Sequence, residues 1–344
     1  MSSTVEIQSH RTGERASACS AARVADLTSA HGPLSATARA SLRARHGFTA
    51  AVRKAALGQL DLHHGNRLLN LIVNDRGRFL VGLLALDLHF NRDVGGAGLT
   101  PGRLRQRCAH TGTCSPTRAS ALLALMRLGE FVRTAPAAQD RRRRELVPTE
   151  RLLGAQRERW RCQFEAAAPL LPEAALALAA LDEPHFVPAM VRRLSDYYDA
   201  GFRVLDLVPA LRLFGERSGG MFIVLALIAA ADEDAIVRGA PVSVSISELA
   251  RRIGASRTHV IKLINDAAAE GLLERAGAQG IILKPRLSDA VHDFFAIGFL
   301  FLAHCAEAIR AAAQEAPSPV GSEAVVPQAQ VMPASRLAGE TAAR

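Results

Sequence analysis

Disulfide bridges and membrane spans have little support in this sequence. The five cysteines are odd in number and mostly scattered, which excludes the paired framework of small secreted domains and favours a reducing cytoplasm. The strongest apolar runs, Met221–Ala231 and Phe294–Leu302, are shorter than the roughly 18 residues that a membrane-spanning helix requires. We therefore expect a cytoplasmic protein without a membrane partner.

The sequence also gives no reason to expect a targeting segment. The first 45 residues contain Glu6, Glu14 and Asp26 and no apolar h-region, so neither a secretory signal nor a transit peptide is expected. Residues 1–45 are predicted to be a disordered N-terminal arm. Residues 315–344 combine Pro, Ser, Ala and Val without periodicity, and they predict a disordered tail.

Motifs for catalysis are lacking as well. The sequence has no glycine loop that cradles a phosphate after a strand, no nucleophile elbow and no recognisably spaced pair of carboxylates. Gly95, Gly96 and Gly98 follow an apolar helix, which is the wrong context for dinucleotide binding. We expect neither an enzyme nor a bound cofactor or metal.

Lysine is scarce although the chain is basic. The formal net charge is +9, and all of the 42 basic residues except Lys54, Lys262 and Lys284 are arginines. Guanidinium groups bind phosphates and guanine edges with two parallel hydrogen bonds, which lysine cannot do. This surface favours a polyanionic partner.

One pattern is present twice, at about Leu99–Pro148 and Val242–Pro285. Each copy has a helix, a turn, a second helix, a glycine and two strand-like runs around a basic or glycine-rich tip. That order is typical of a winged helix-turn-helix domain. The predicted fold class is mainly α, with two such domains, small β-hairpin wings and flanking helices.

The duplication predicts the domain boundaries. Residues 46–168 form the first winged domain, 169–217 a helical connector and 218–314 the second winged domain. The second domain ends in a predicted helix, Leu287–Ala313, which either pairs with another subunit or covers this domain. A homodimer is therefore left open.

In the second copy, Gly254 provides the turn and Ser256 is the predicted N-cap of the second helix. Val260, Ile261 and Ile264 are expected to face the core. The predicted DNA-binding residues of this copy are the cap and the outward side chains, namely Ser256, Arg257, Thr258, His259 and Lys262.

In the first copy, Ser115 is the predicted N-cap and Pro116 the first helical residue. Four residues are expected to pack inward, namely Ala119, Leu122, Leu123 and Met126. The strands are predicted at Phe131–Thr134 and Glu145–Val147. The predicted DNA-binding residues are Ser115, Thr117, Arg118 and Ser120 on the helix, and Arg141, Arg142, Arg143 and Arg144 at the wing tip.

The segment DRRRRELVPTERLL, Asp140–Leu153, resembles the wing and following helix of MarR-type transcriptional regulators. The resemblance implies that Arg142 enters the minor groove and that Asp140 positions it. Pro148 replaces the leucine that is usual in the family, and two winged domains in one chain depart from the single-domain pattern. One chain would then supply both of the units that bind the two halves of a DNA site.

The resulting prediction is a bacterial transcriptional regulator that binds double-stranded DNA in the cytoplasm, on the nucleoid. A plasmid-type replication initiator and a tandem winged-helix scaffold for a protein partner are the alternatives, and the scaffold is expected to lack a basic face. Cys108, His110 and Cys114 are close enough in sequence for metal or redox sensing. The target site and any small-molecule effector stay open.

Overall fold

The computed structural model describes residues 22–63, 76–136, 145–232, 239–277 and 280–315. These residues form a mainly α-helical protein with small antiparallel sheets. The predicted wing tip with Asp140 and Arg141–Arg144 lies outside them, as do the first 21 residues and the tail from 316 onward.

In the described part of its first half, the chain contains two strands and, after the helical segment 22–28, six further helices. In order they are α1 Ala36–Arg43, α2 Phe48–His63, α3 Arg76–Phe90, α4 Pro101–His110, α5 Pro116–Leu128, β1 Val132–Thr134, β2 Leu146–Pro148 and α6 Glu150–Ala167. The helix predicted to begin at Pro116 is present, and the two predicted strands are present but each begins one residue later than predicted.

The rest of the chain begins with the connector and ends with a long helix. The connector holds α7 Pro172–Ala180, α8 Phe186–Asp199, α9 Val204–Leu207, a 3₁₀ turn at Pro209–Leu211 and α10 Arg212–Gly215. The second half then follows with α11 Gly220–Ala230, β3 Val242–Ser243, α12 Ile246–Ile253, α13 Arg257–Ala269, β4 Leu273–Ala276, β5 Gly280–Leu283 and α14 Pro285–Glu315.

The order of elements from α3 to β2 recurs from α11 to β5. In the second sheet the strand order is β3-β5-β4, with Leu273 paired to Leu283 and Val242 to Ile281. In the first sheet β1 pairs with β2, and the Leu99–Leu146 bridge takes the place of β3. We call α3–β2 the first repeat and α11–β5 the second repeat.

The prediction of a disordered arm over 1–45 was wrong from residue 22 onward. Residues 22–28 are helical, α1 follows, and the side chains of Leu27, Leu34 and Leu42 are buried. Arg39 forms an ion pair with Asp293 of α14. The arm was missed because only a few leucines anchor it to distant parts of the chain, and they make no helical stripe of their own.

Helix α14 has 31 residues and is longer than the predicted Leu287–Ala313. It packs against α1, α7, α8 and α9, so it neither merely covers the second repeat nor leaves its whole apolar face open for another subunit. By length and composition it could cross a membrane, as could the bent pair 209–215 and Gly220–Ala230 counted as one span. Its packing favours a core helix.

The two repeats share a helical body. Helix α2 packs between α6, which follows the first repeat, and α11, which begins the second. The buried hydrophobic side chains of both repeats and of the connector belong to one continuous cluster. The boundaries predicted at 168 and 217 therefore do not coincide with a break in the core.

Candidate nucleic-acid interface

Helix α5 begins as its sequence predicts. The Oγ atom of Ser115 accepts a hydrogen bond from the backbone N–H of Arg118 at 3.3 Å, and Pro116 is the first helical residue. The four residues predicted to pack inward are all buried: Ala119, Leu122, Leu123 and Met126. The cap and the apolar stripe fix which face of α5 points outward.

On that outward face, Thr117 and Arg118 are exposed. Ser120 is only half-exposed, and its hydroxyl donates to the carbonyl of Pro116 at 3.0 Å. Of the predicted α5 contacts, Ser115, Thr117 and Arg118 are exposed, whereas Ser120 is already engaged within its own helix.

Helix α13 has the same kind of start. The Oγ atom of Ser256 accepts from the backbone N–H of His259 at 3.1 Å. Gly254 has a φ of 67°, the left-handed conformation that ends α12 and that glycine adopts without strain. The prediction for Ile261 was wrong, because it is only half-buried, and Leu263 packs inward instead. The buried set of Val260, Leu263, Ile264 and Ala267 follows the i, i+3, i+4, i+7 spacing.

Arg257, Thr258 and Lys262 are exposed on the outer face of α13, as predicted. His259 is different, because it is half-buried and its Nε2 atom lies 2.9 Å from the carbonyl oxygen of Ser218. This contact ties the ring to the segment between α10 and α11 and makes His259 an internal anchor.

Two further polar side chains extend this face, and the sequence analysis did not select them. Asn265 is exposed on α13, and Arg275 of β4 donates to its Oδ1 atom at 3.3 Å. Asn265 could have been identified from the sequence, because it follows Lys262 at helical spacing. Arg275 was harder to find, because only the folded hairpin brings it beside α13.

The first repeat also carries exposed arginines that the sequence analysis did not select as DNA-binding residues. Arg105 lies on α4, Arg127 near the end of α5 and Arg133 on β1. Within the described part of the chain, none of these three has an acidic partner. Because they are not neutralised locally, they add to a positive surface around α5.

The turn between α4 and α5 is fastened to the connector. The hydroxyl groups of Thr113 and Tyr198 lie 2.9 Å apart. Arg203 donates to the carbonyl of Thr111 at 3.1 Å, and its guanidinium carbon lies 3.4 Å from the centre of the Tyr198 ring. This turn is longer than the turn between α12 and α13, and its contacts with the connector hold the first repeat in place.

A partly buried charge cluster strengthens this junction. The Nη2 atom of Arg107 in α4 lies 3.1 Å from Oδ2 of Asp87 in α3, and Arg107 also pairs with Asp199 at the end of α8. Burial raises the pKa of both carboxyl groups above the ordinary value, and the guanidinium of Arg107 opposes that rise. The cluster links α3, α4 and α8.

The three residues considered for metal or redox sensing do not form a metal-binding set. No group of three or more His, Cys, Asp or Glu side chains among the described residues is arranged to hold a metal ion. His110 is exposed, whereas Cys108 is fully buried, and burial raises the pKa of its thiol to about 12.

The chain matches no protein-family model, no curated protein and no solved structure. Its function therefore has to be inferred from the topology, the helix caps and the distribution of charge.

Proposed function

We propose that this protein binds double-stranded DNA through two winged helix-turn-helix units and regulates transcription on the bacterial nucleoid. The observation that carries the proposal is the recurrence of helix, strand, two helices and hairpin with equivalent strand order in both sheets. In this topology the second helix of the helix-turn-helix enters the major groove. Helices α5 and α13 are the proposed recognition helices.

The chemistry of α13 supports this assignment. Arg257 and Lys262 offer cationic groups to phosphates or guanine edges, and the hydroxyl of Thr258 can hydrogen-bond either a phosphate or a base. All three side chains are exposed. The segment that precedes α11 also anchors α13, because Arg217 of that segment forms a 2.5 Å ion pair with Asp266 of α13.

The first unit is proposed to be the stronger electrostatic anchor. Thr117 and Arg118 would contact the groove, and exposed arginines at 105, 127 and 133 would approach the flanking phosphates. Arg141–Arg144 at the predicted wing tip would enter the minor groove or clamp its phosphates, and the resemblance to MarR-type regulators implies that Arg142 is the minor-groove contact. The shared helical body would present both units to one duplex.

The test is the salt dependence of binding to genomic and random duplex DNA. The R257A/K262A double variant should weaken binding and reduce the slope of log affinity against log salt by about two, one for each lost phosphate contact. R23A removes a charge from the exposed surface of segment 22–28 and is the matched control. Its slope should equal that of the wild type.

The alternatives give different results in the same measurements. A flat salt response of the wild-type protein would refute the DNA-binding proposal and favour a protein-binding scaffold. Mapping of bound sites separates the two DNA-binding functions, because a replication initiator would occupy iterated repeats at an origin, whereas a regulator would occupy promoters.

A further inference from the structure

Two cysteines meet across the turn between α4 and α5. Cys108 lies near the end of α4, and Cys114, the residue before the N-cap of α5, lies close enough to contribute to the raised pKa of the Cys108 thiol. The backbone N–H of Thr113 donates to the Cys108 carbonyl at 2.9 Å, so the turn folds Cys114 back onto the end of α4. Neither residue belongs to a disulfide in the structure.

The two thiols differ in access. Cys108 is fully buried, and burial raises its pKa to about 12, so it is a neutral thiol near pH 7. Cys114 is only partly buried and precedes the N-terminus of a 13-residue helix, where the helix dipole favours negative charge. Cys114 is therefore the member that solvent oxidants reach, with a second thiol beside it.

We propose that Cys114 and Cys108 are an oxidisable pair that hydrogen peroxide converts into a disulfide. The Cys114 thiolate attacks one peroxide oxygen, the O–O bond breaks, and the departing hydroxide takes up a proton to form water. The resulting sulfenic acid is attacked by the Cys108 sulfur, the S–O bond breaks, and a second water leaves. Two thiols lose two electrons and two protons, and one peroxide is reduced to two water molecules.

Formation of the bond would disturb the start of α5. A disulfide requires the two sulfur atoms to be about 2 Å apart, which is much closer than two sulfur atoms in non-bonded contact. Cys114 would move toward α4 and pull on the neighbouring Ser115, while Thr113 is held by Tyr198. This consequence rests on the proposed function, and we expect an affinity loss of about tenfold, the scale of one lost base contact.

The disulfide can be detected by mass spectrometry of a single tryptic peptide. No Lys or Arg lies between Cys108 and Arg118, so trypsin releases both cysteines in one peptide that begins after Arg107. The disulfide appears as the loss of two hydrogen atoms from the mass of that peptide after peroxide treatment of the folded protein and alkylation of remaining thiols. In C108A the sulfenic acid of Cys114 should persist and be trapped by dimedone.

Cys162 is the internal reference. It is also half-buried, but its thiol donates to the carbonyl of Arg159 at 3.1 Å, and burial raises its pKa to about 11. The pair should oxidise before Cys162 does. The proposal is overturned if the peptide mass does not change, if Cys162 reacts as fast, or if C108A gives no adduct at Cys114.

DNA binding is measured on the same oxidised and reduced samples. A disulfide without a change in affinity would refute its effect on α5. If the reduced wild type does not bind DNA at all, the proposed function fails, whereas the peptide mass still decides the thiol chemistry.

Discussion

Replacement of Arg107 by methionine tests how the first repeat is attached to the helical body. Arg107 is the shared cationic partner of Asp87 and Asp199, which lie on α3 and α8. Methionine retains an apolar chain of similar length but removes the charge and the hydrogen bonds. The two carboxylates would then stay partly desolvated without this guanidinium.

The expected loss of stability in R107M follows from the burial of the three charged side chains. Removal of one partner from a fully buried ion pair costs about 3–5 kcal/mol. Here the side chains of Arg107 and Asp199 are 29% and 25% exposed, so water screens part of the charge. We therefore expect R107M to lower the free energy of unfolding by about 2–3 kcal/mol near neutral pH.

The loss should depend on pH with a definite sign. The pKa of both carboxyl groups is already raised in the folded protein, and it rises further without Arg107. A raised pKa contributes stability that is present at low pH and is lost as the pH rises through the folded-state pKa. The stability of R107M should accordingly approach that of the wild type as the pH is lowered from neutral toward about 4, the ordinary pKa of an aspartate side chain.

Urea unfolding followed by circular dichroism at the two pH values measures both effects. Arg105 is exposed on the same helix and has no acidic partner in the described part of the chain, so R105M is the matched control and should change stability by less than about 0.5 kcal/mol. Equal effects of R107M and R105M, or a loss with R107M that does not shrink in acid, would refute the reasoning.

Two other predictions concern the helical body. L42A should cost about 2–4 kcal/mol in urea unfolding, because Leu42 is buried in the segment that its sequence suggests is disordered, and a negligible change would restore that first interpretation. G58A should destabilise by about 1–3 kcal/mol, because a Cβ atom there would lie 2.7 Å from Cβ of Cys162 in α6. G154A is its control, since it meets no atom within 4 Å and should stabilise by about 0.5–1 kcal/mol; equal effects would contradict the close α2–α6 contact.

The second repeat was predictable from sequence because its signals are local. Ser245 and Ser256 cap consecutive helices, and Gly254 ends the first of them, so the helix bounds follow from a few neighbouring residues. The inward stripe of α13 was predicted with one error, at Ile261. In the first repeat, both strands begin one residue later than predicted, because pairing in the hairpin, rather than side-chain pattern, decides where they begin.

The attachments between repeats and body were not predictable in the same way. Thr113 and Tyr198 are far apart in the chain, as are His259 and Ser218, and no periodic pattern signals either pair. A sequence pattern identifies which side of a helix is buried but does not identify the partner that covers it. This is also why α14 was expected beside the second repeat or another subunit, and not against the N-terminal α1.

The two proposed recognition helices are anchored by different means. The five-residue turn before α5 is held by the connector through Thr113 and Tyr198, whereas α13 is held directly by the segment before α11, through His259 and Asp266. Both anchors lead to the same continuous core. A helix whose orientation is already fixed loses less conformational entropy when it binds, so fewer contacts suffice for a given affinity. The internal role of His259 is therefore consistent with DNA binding, because it would orient the neighbouring Arg257, Thr258 and Lys262.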